Sequence, residues 1–140
     1  MNIKKIEELS KQIRKNILLA AFSAEEKSAH IGGALSITDI VSVLFGHIMK
    51  LDPTNPLDLE RDRFILSKGH ACLALYSALT EKQFLDEKDL KNYGKNESNL
   101  LGHPTMNKKK GIEFSTGSLG MGLSLGIGSA YAAIKKKNSY

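Results

Sequence analysis

Only one stretch of the chain reads as a β-strand, and this constrains the fold more than any other feature. Arg63-Phe64-Ile65-Leu66 is a short apolar run set between charged residues and Ser67-Lys68-Gly69, a pattern that predicts a buried strand. Elsewhere the apolar residues repeat at helical spacing or give way to glycine. A single strand has no neighbour in its own chain, yet buried backbone groups must find hydrogen-bond partners. The expectation is an α/β chain, mostly helical over these residues with one secure short strand. Such a chain is either cut through a domain or completes its sheet with another chain.

The helical segments follow from periodicity. Ile3, Ile6, Leu9, Ile13, Ile17 and Ala20 share one face, with Lys and Glu between them, which predicts a helix over about residues 3–24. Residues 28–36 are small and glycine-containing and predict a loop. Ser36 and Asp39 form a Ser-x-x-Asp capping pattern ahead of Ile37, Ile40, Val41, Leu44 and Ile48, one face of a second helix. Asp52-Pro53-Thr54-Asn55-Pro56 stops it, because proline lacks the amide donor and clashes with the preceding turn. A helix over residues 70–81 follows the strand, and Asp86 and Asp89 cap a shorter one that ends at Gly94. Residues 96–114 predict a loop. The last helix, about residues 119–137, carries Gly122, Gly126, Ser129, Ala130 and Ala133, which let another backbone approach closely. Its closing Lys135-Lys136-Lys137 suits the negative end of the helix dipole.

Composition removes several classes of function. A chain of 140 residues has room for one domain. Twenty Lys and Arg against fifteen Asp and Glu give a net charge of +5. The lysines are scattered or in short runs, and with five Phe, four Tyr and no Trp they make no basic, aromatic-laced stripe for nucleic acid. The lone Cys72 cannot form a disulfide within the chain, which suits a reducing cytosol. Glu7 and Glu8 stand where a signal peptide would be apolar. The weakly polar stretch 120–134 is shorter than the roughly 20 apolar residues of a membrane span. These features predict a cytoplasmic protein with neither nucleic acid nor membrane as partner.

Three of the four histidines share a setting: His30-Ile31-Gly32-Gly33, Gly69-His70 and Gly102-His103-Pro104. Glycine beside a functional side chain allows a sharp turn or a close ligand approach, and imidazole exchanges protons near neutral pH. Convergence on one site is one reading; three loop histidines bonded to backbone is the other. His47 has no such setting and is assigned no role. Ser115-Thr116-Gly117-Ser118-Leu119-Gly120-Met121-Gly122 runs straight into a helix, so it can offer backbone amides to an anion or a flat ring or be only a tight turn. It is neither the dinucleotide fingerprint, since Leu125 stands at the third small position, nor a Walker loop.

In order and spacing these motifs resemble the N-terminal part of transketolase, most closely its separately encoded N-terminal subunit. The segments that carry the resemblance are His30-Ile31-Gly32-Gly33, the run Asp62-Arg63-Phe64-Ile65-Leu66-Ser67-Lys68-Gly69-His70, Gly102-His103-Pro104, and Ser115-Thr116-Gly117-Ser118-Leu119-Gly120. The resemblance spans nearly the whole chain. It implies that residues 1–140 form the N-terminal part of a thiamine diphosphate-binding domain. Thiamine diphosphate and Mg²⁺ would serve the transfer of a two-carbon ketol unit from a ketose phosphate to an aldose phosphate. His30 would assist proton transfer near the reacting carbons, and His103 would hydrogen-bond the donor ketose. His70 would lie beside the cofactor diphosphate, and Gly117, Ser118 and Leu119 along the cofactor.

Two departures qualify it. Met121 stands where the family pattern has glutamine. The Gly-Asp-Gly segment and downstream asparagine that hold the metal in the family are not among these residues, so no metal ligand is expected in this chain. The resemblance thus implies that the partner is a transketolase C-terminal subunit, that the enzyme is a homo-oligomer, and that the isolated chain has no activity. Other thiamine enzymes, the deoxyxylulose-phosphate synthase and the single-chain pyruvate dehydrogenase component, are neighbouring readings. Two further alternatives are a non-catalytic interaction module derived from the family and a metal site made by His30, His70 and His103.

Overall fold

A computed structural model describes residues 2–24 and 29–136. The centre of the molecule is a helix that is apolar on every side. Helix α4, Cys72–Glu81, is buried from Cys72 through Thr80, as an all-round apolar helix must be. The hydroxyl of Thr80 bonds back to the Tyr76 carbonyl at 2.9 Å, so one of its polar groups is satisfied inside the helix. A 3-10 turn, Gly69–Ala71, leads into it.

Helix α1, Ile3–Ser23, packs against α4 with Ile13, Ile17 and Ala20 buried, close to the extent that periodicity predicts. Asn2 caps it by accepting the Lys5 amide at 3.2 Å. Helix α3, Thr38–Val43, packs against both α1 and α4 and continues as a single π-turn, Leu44–Ile48. Short α5, Glu87–Lys91, starts with the expected capping box between Asp86 and Asp89. It ends three residues before Gly94, which adopts φ +70°. Helix α6, Met121–Lys136, closes the described chain; only Gly122 and Ala133 of it are buried. Residue 137, the last expected helical position, lies outside the described residues.

Three expectations are corrected. Residues 63–66 form no strand. The pairing present among the described residues is the bridge between Asn107 and Ile112, which closes a small turn over Lys108–Lys110 with Gly111 at φ +74°. Among the described residues no second strand lies alongside 63–66, and side chains anchor this stretch instead. Arg61 Nη1 lies 2.5 Å from Glu113 Oε1 and Arg63 Nη1 lies 3.1 Å from Oε2, with Arg61 and Glu113 both buried. The Arg61 contact is an ion pair and not an aligned hydrogen bond. Arg61 Nε also donates to the Pro56 carbonyl at 2.7 Å.

The predicted loop over 28–36 holds a helix, α2, Ile31–Leu35, while Ser28 lies outside the described residues. Ser36 and Asp39 do not cap α3, whose preceding residue Ile37 makes no side-chain cap bond. Ser36 instead donates to the Gly33 carbonyl at 2.9 Å. Asp39 accepts both Arg14 nitrogens, at 3.0 and 2.8 Å, and the Ser10 hydroxyl at 2.6 Å. A bidentate guanidinium outcompetes a single backbone amide for a carboxylate.

Candidate active site

The structure brings the three glycine-flanked histidines together. His30 precedes the first turn of α2, His70 sits in the turn that starts α4, and His103 lies on the loop after Gly102. The His30 ring centroid is 5.7 Å from that of His70 and 5.9 Å from that of His103, with the planes tilted by 76° and 59°. His30 and His103 are exposed and His70 is half-buried, so the imidazoles form one face open to solvent. His47 lies in the π-turn and faces solvent.

The neighbouring glycines seat these rings. A Cβ on Gly33 would lie 2.8 Å from His70 Cδ2, and one on Gly117 would lie 3.2 Å from His103 Cδ2. His70 and His103 therefore each rest on a glycine from a different segment. A Cβ on Gly69 would lie 2.7 Å from the Gly117 nitrogen and from the Thr116 carbonyl carbon and oxygen, so the turn before α4 presses directly on the 116–117 peptide. This contact joins the two glycine motifs. Ser118 and Leu119 are exposed beside it, and Gly120 turns into α6 at φ +85°, a conformation that favours glycine.

Several further residues tie the site together. The Ser67 hydroxyl accepts the Gly122 amide at 3.2 Å in the first turn of α6. Lys68 Nζ donates to Ser36 Oγ at 2.8 Å, tying the end of α2 to the approach to His70. Behind His103, Tyr76 and Cys72 of α4 donate to the loop carbonyls. Burial pushes the Cys72 thiol up to about 11 and raises the Tyr76 and Tyr93 phenols as well, so all three stay protonated at neutral pH.

The arrangement fits one side of a flat, anionic cofactor. It supplies imidazole donors, a side-chain-free backbone at Gly117, and the exposed residues 118 and 119 next to it. Among the described residues no group of three or more His, Cys, Asp or Glu side chains is arranged to hold an ion, and this weighs against the three-histidine metal reading. Likewise, among the described residues no helix is long and apolar enough to cross a membrane.

Comparison with known proteins agrees with this geometry. The family model for the transketolase thiamine diphosphate binding domain matches residues 8–140. The chain is 40% identical over 140 residues to one of the subunits of apulose-4-phosphate transketolase from Phocaeicola vulgatus, an alignment covering 100% of this chain and 49% of that protein. Transketolase from Campylobacter jejuni superposes with a TM-score of 0.81 at 38% identity, over 98% of this chain and 21% of that one. Pichia stipitis transketolase in complex with sedoheptulose-7-phosphate gives 0.77 at 33% identity, over 88% and 18%. The chain thus spans about half the length of the Phocaeicola relative. With its motifs seated against one another and the match running from residue 8 to residue 140, the chain belongs to the transketolase family, within its thiamine diphosphate binding domain.

Proposed function

We propose that this chain is the N-terminal part of the cofactor-binding half of a transketolase-type transferase, working with a companion C-terminal subunit in a cytoplasmic oligomer. The observation that carries the reading is the meeting of His30, His70 and His103 around the Gly117 turn. The Phocaeicola relative is by name one subunit of its enzyme, which supports a divided transketolase here. The Pichia enzyme was solved in complex with a sugar phosphate, which supports the substrate class. Residues 63–66 would then join the parallel sheet of an α/β domain whose other strands come from outside the described residues.

Thiamine diphosphate, when bound, supplies a nucleophilic ring carbon that takes up and releases a two-carbon ketol unit. The chain's own residues bind and position. The ring nitrogens of His30 give and take protons near the reacting carbons, a task suited to imidazole at neutral pH. Those of His103 hydrogen-bond the hydroxyls of the donor ketose. His70 sits by the diphosphate, held in place by Gly33 beneath its ring. Backbone at Gly117, Ser118 and Leu119 lies along the cofactor. The family's metal-holding Gly-Asp-Gly segment is not among these residues, so the ligands of Mg²⁺ are assigned to the rest of the enzyme.

Calorimetry with thiamine diphosphate and Mg²⁺, on this chain alone and with its companion, tests the reading. The expected result is binding by the assembly and weak or no binding by the chain alone. A coupled assay with xylulose 5-phosphate as donor and ribose 5-phosphate as acceptor should show turnover by the assembly alone. An assembly that binds no cofactor, or that prefers pyruvate to a ketose phosphate, would overturn the assignment.

A further inference from the structure

The loop that carries His103 is held from behind by donors on one face of α4. The Tyr76 hydroxyl is 3.0 Å from the Leu101 carbonyl and 3.3 Å from the His103 carbonyl. The Cys72 thiol is 3.2 Å from the Gly102 carbonyl. Three consecutive carbonyls are thus met by two side chains spaced i, i+4, which project from the same side of a helix. Tyr76 and Cys72 are 0% and 1% exposed, and Tyr93 closes the cluster at 1%, its ring 6.3 Å from that of Tyr76. Among the described residues no backbone amide bonds these three carbonyls; the backbone ties lie at Gly94 to Leu100 and at Thr116 to Pro104, either side of them. The 3-10 turn that carries His70 leads directly into the same helix, so one continuous segment carries one imidazole and grips the backbone of another.

We propose that Tyr76, seconded by Cys72, is a positioning residue that sets the His103 imidazole over Gly117 and opposite His30. The phenol acts through the Leu101 and His103 carbonyls and touches no substrate. Without it, the His103 carbonyl loses its side-chain donor and the Leu101 carbonyl keeps only the Cys72 thiol at 3.5 Å, so the loop shifts to satisfy them. His103 then leaves its seat, while His70, which rests on Gly33 through a separate contact, stays.

The test is nuclear Overhauser spectroscopy on the full chain in its native assembly, labelled at His and Gly, comparing wild type with Tyr76→Phe. The proton of Gly117 that occupies the Cβ direction should give a strong cross-peak to His103 Hδ2, and the corresponding Gly33 proton one to His70 Hδ2. Tyr76→Phe should abolish the first and keep the second. Loss of both, or of neither, overturns the proposal. If Tyr76→Phe does not fold, the pair Cys72→Ser and Cys72→Ala decides. Serine keeps a donor and should keep the His103 cross-peak, alanine should weaken it, and identical spectra overturn the proposal.

A kinetic arm rests on the proposed function. Donor kcat/KM should fall about tenfold to a hundredfold in Tyr76→Phe, with thiamine diphosphate affinity within about twofold of wild type, as His70 and Gly117 are unmoved. If both fall together, positioning of His103 is refuted. If wild-type enzyme transfers no ketol unit while the cross-peak responds as described, the functional reading fails and the positioning role stands.

Discussion

Gly69 and Gly117 touch backbone to backbone: a methyl group on the first would stand 2.7 Å from the nitrogen of the second. Neither segment can yield, because Gly69 starts the turn into the central helix α4 and Gly117 supports the His103 ring. Gly69→Ala should therefore destabilise the protein by about 1–3 kcal/mol, the usual cost of overpacking, and should weaken cofactor binding by the assembly. Gly32→Ala is the control. Nothing lies within 4 Å of that added methyl, and alanine favours the helix, so stability should hold or rise. Thermal melts of both variants check this; equal losses would show that glycine content alone matters.

Glu113→Gln should be among the most damaging single-atom exchanges in the chain. Glu113 is 2% exposed and faces two guanidinium groups, of Arg61 and Arg63. Removing the charge leaves the buried Arg61 guanidinium without its anionic partner, at a cost of about 3–5 kcal/mol. A drop in the urea midpoint with unchanged slope would confirm it, and a shift below about 1 kcal/mol would mean that water reaches the triad.

The Arg14–Asp39 pair gives a pH dependence with a definite sign. Hydrogen bonds from Arg14 and Ser10 hold the Asp39 carboxyl down at about 2. A depressed carboxyl stabilises the fold above its unfolded pKa, near 4, and this contribution is lost as the pH falls toward 2. Asp39 is largely exposed, so solvent screening limits the effect to about 1 kcal/mol or less. Asp39→Asn should flatten the stability profile between about pH 4 and 2, and leave the profile above pH 5 parallel to wild type. A wild-type profile that is already flat across that window would count against the pair.

Leu123, Ile127, Tyr131 and Ile134 are each more than 60% exposed on α6. The proposed homo-oligomer predicts that the chain self-associates at micromolar concentration, and this row is the apolar face to test. Ile127→Lys should reduce the sedimentation coefficient toward that of a monomer. Its effect on monomer stability should stay within about 0.5 kcal/mol, as for an exposed position. If association is unaltered, copies meet through another face.

Legibility of the sequence followed the range of the forces involved. Helix α1 and the capping box of α5 were readable, because periodicity and caps act within a few residues. The glycine beside each imidazole was readable as a pattern. Its physical meaning was not, since Gly33 serves His70 and Gly117 serves His103 across the fold. The strand at 63–66 failed because pairing needs a neighbour that local composition cannot supply. Ser36 and Asp39 failed as a cap because Arg14, 25 residues before Asp39, offered a stronger partner. Tyr76 and Cys72 were hidden for another reason. Nothing in the local sequence marks them as donors to a loop, and only the loop laid against them gives their polar ends that role.

The mounting of His70 and of the His103 loop on the single helix α4 has a mechanical consequence. Movement of α4 as a rigid body carries together the turn that holds His70 and the side chains that grip the carbonyls behind His103. Such motion is common-mode for the two imidazoles: it can open or tilt the site as a whole while leaving the spacing between them nearly constant. Displacement of this one helix is thereby decoupled from the gap between the two rings.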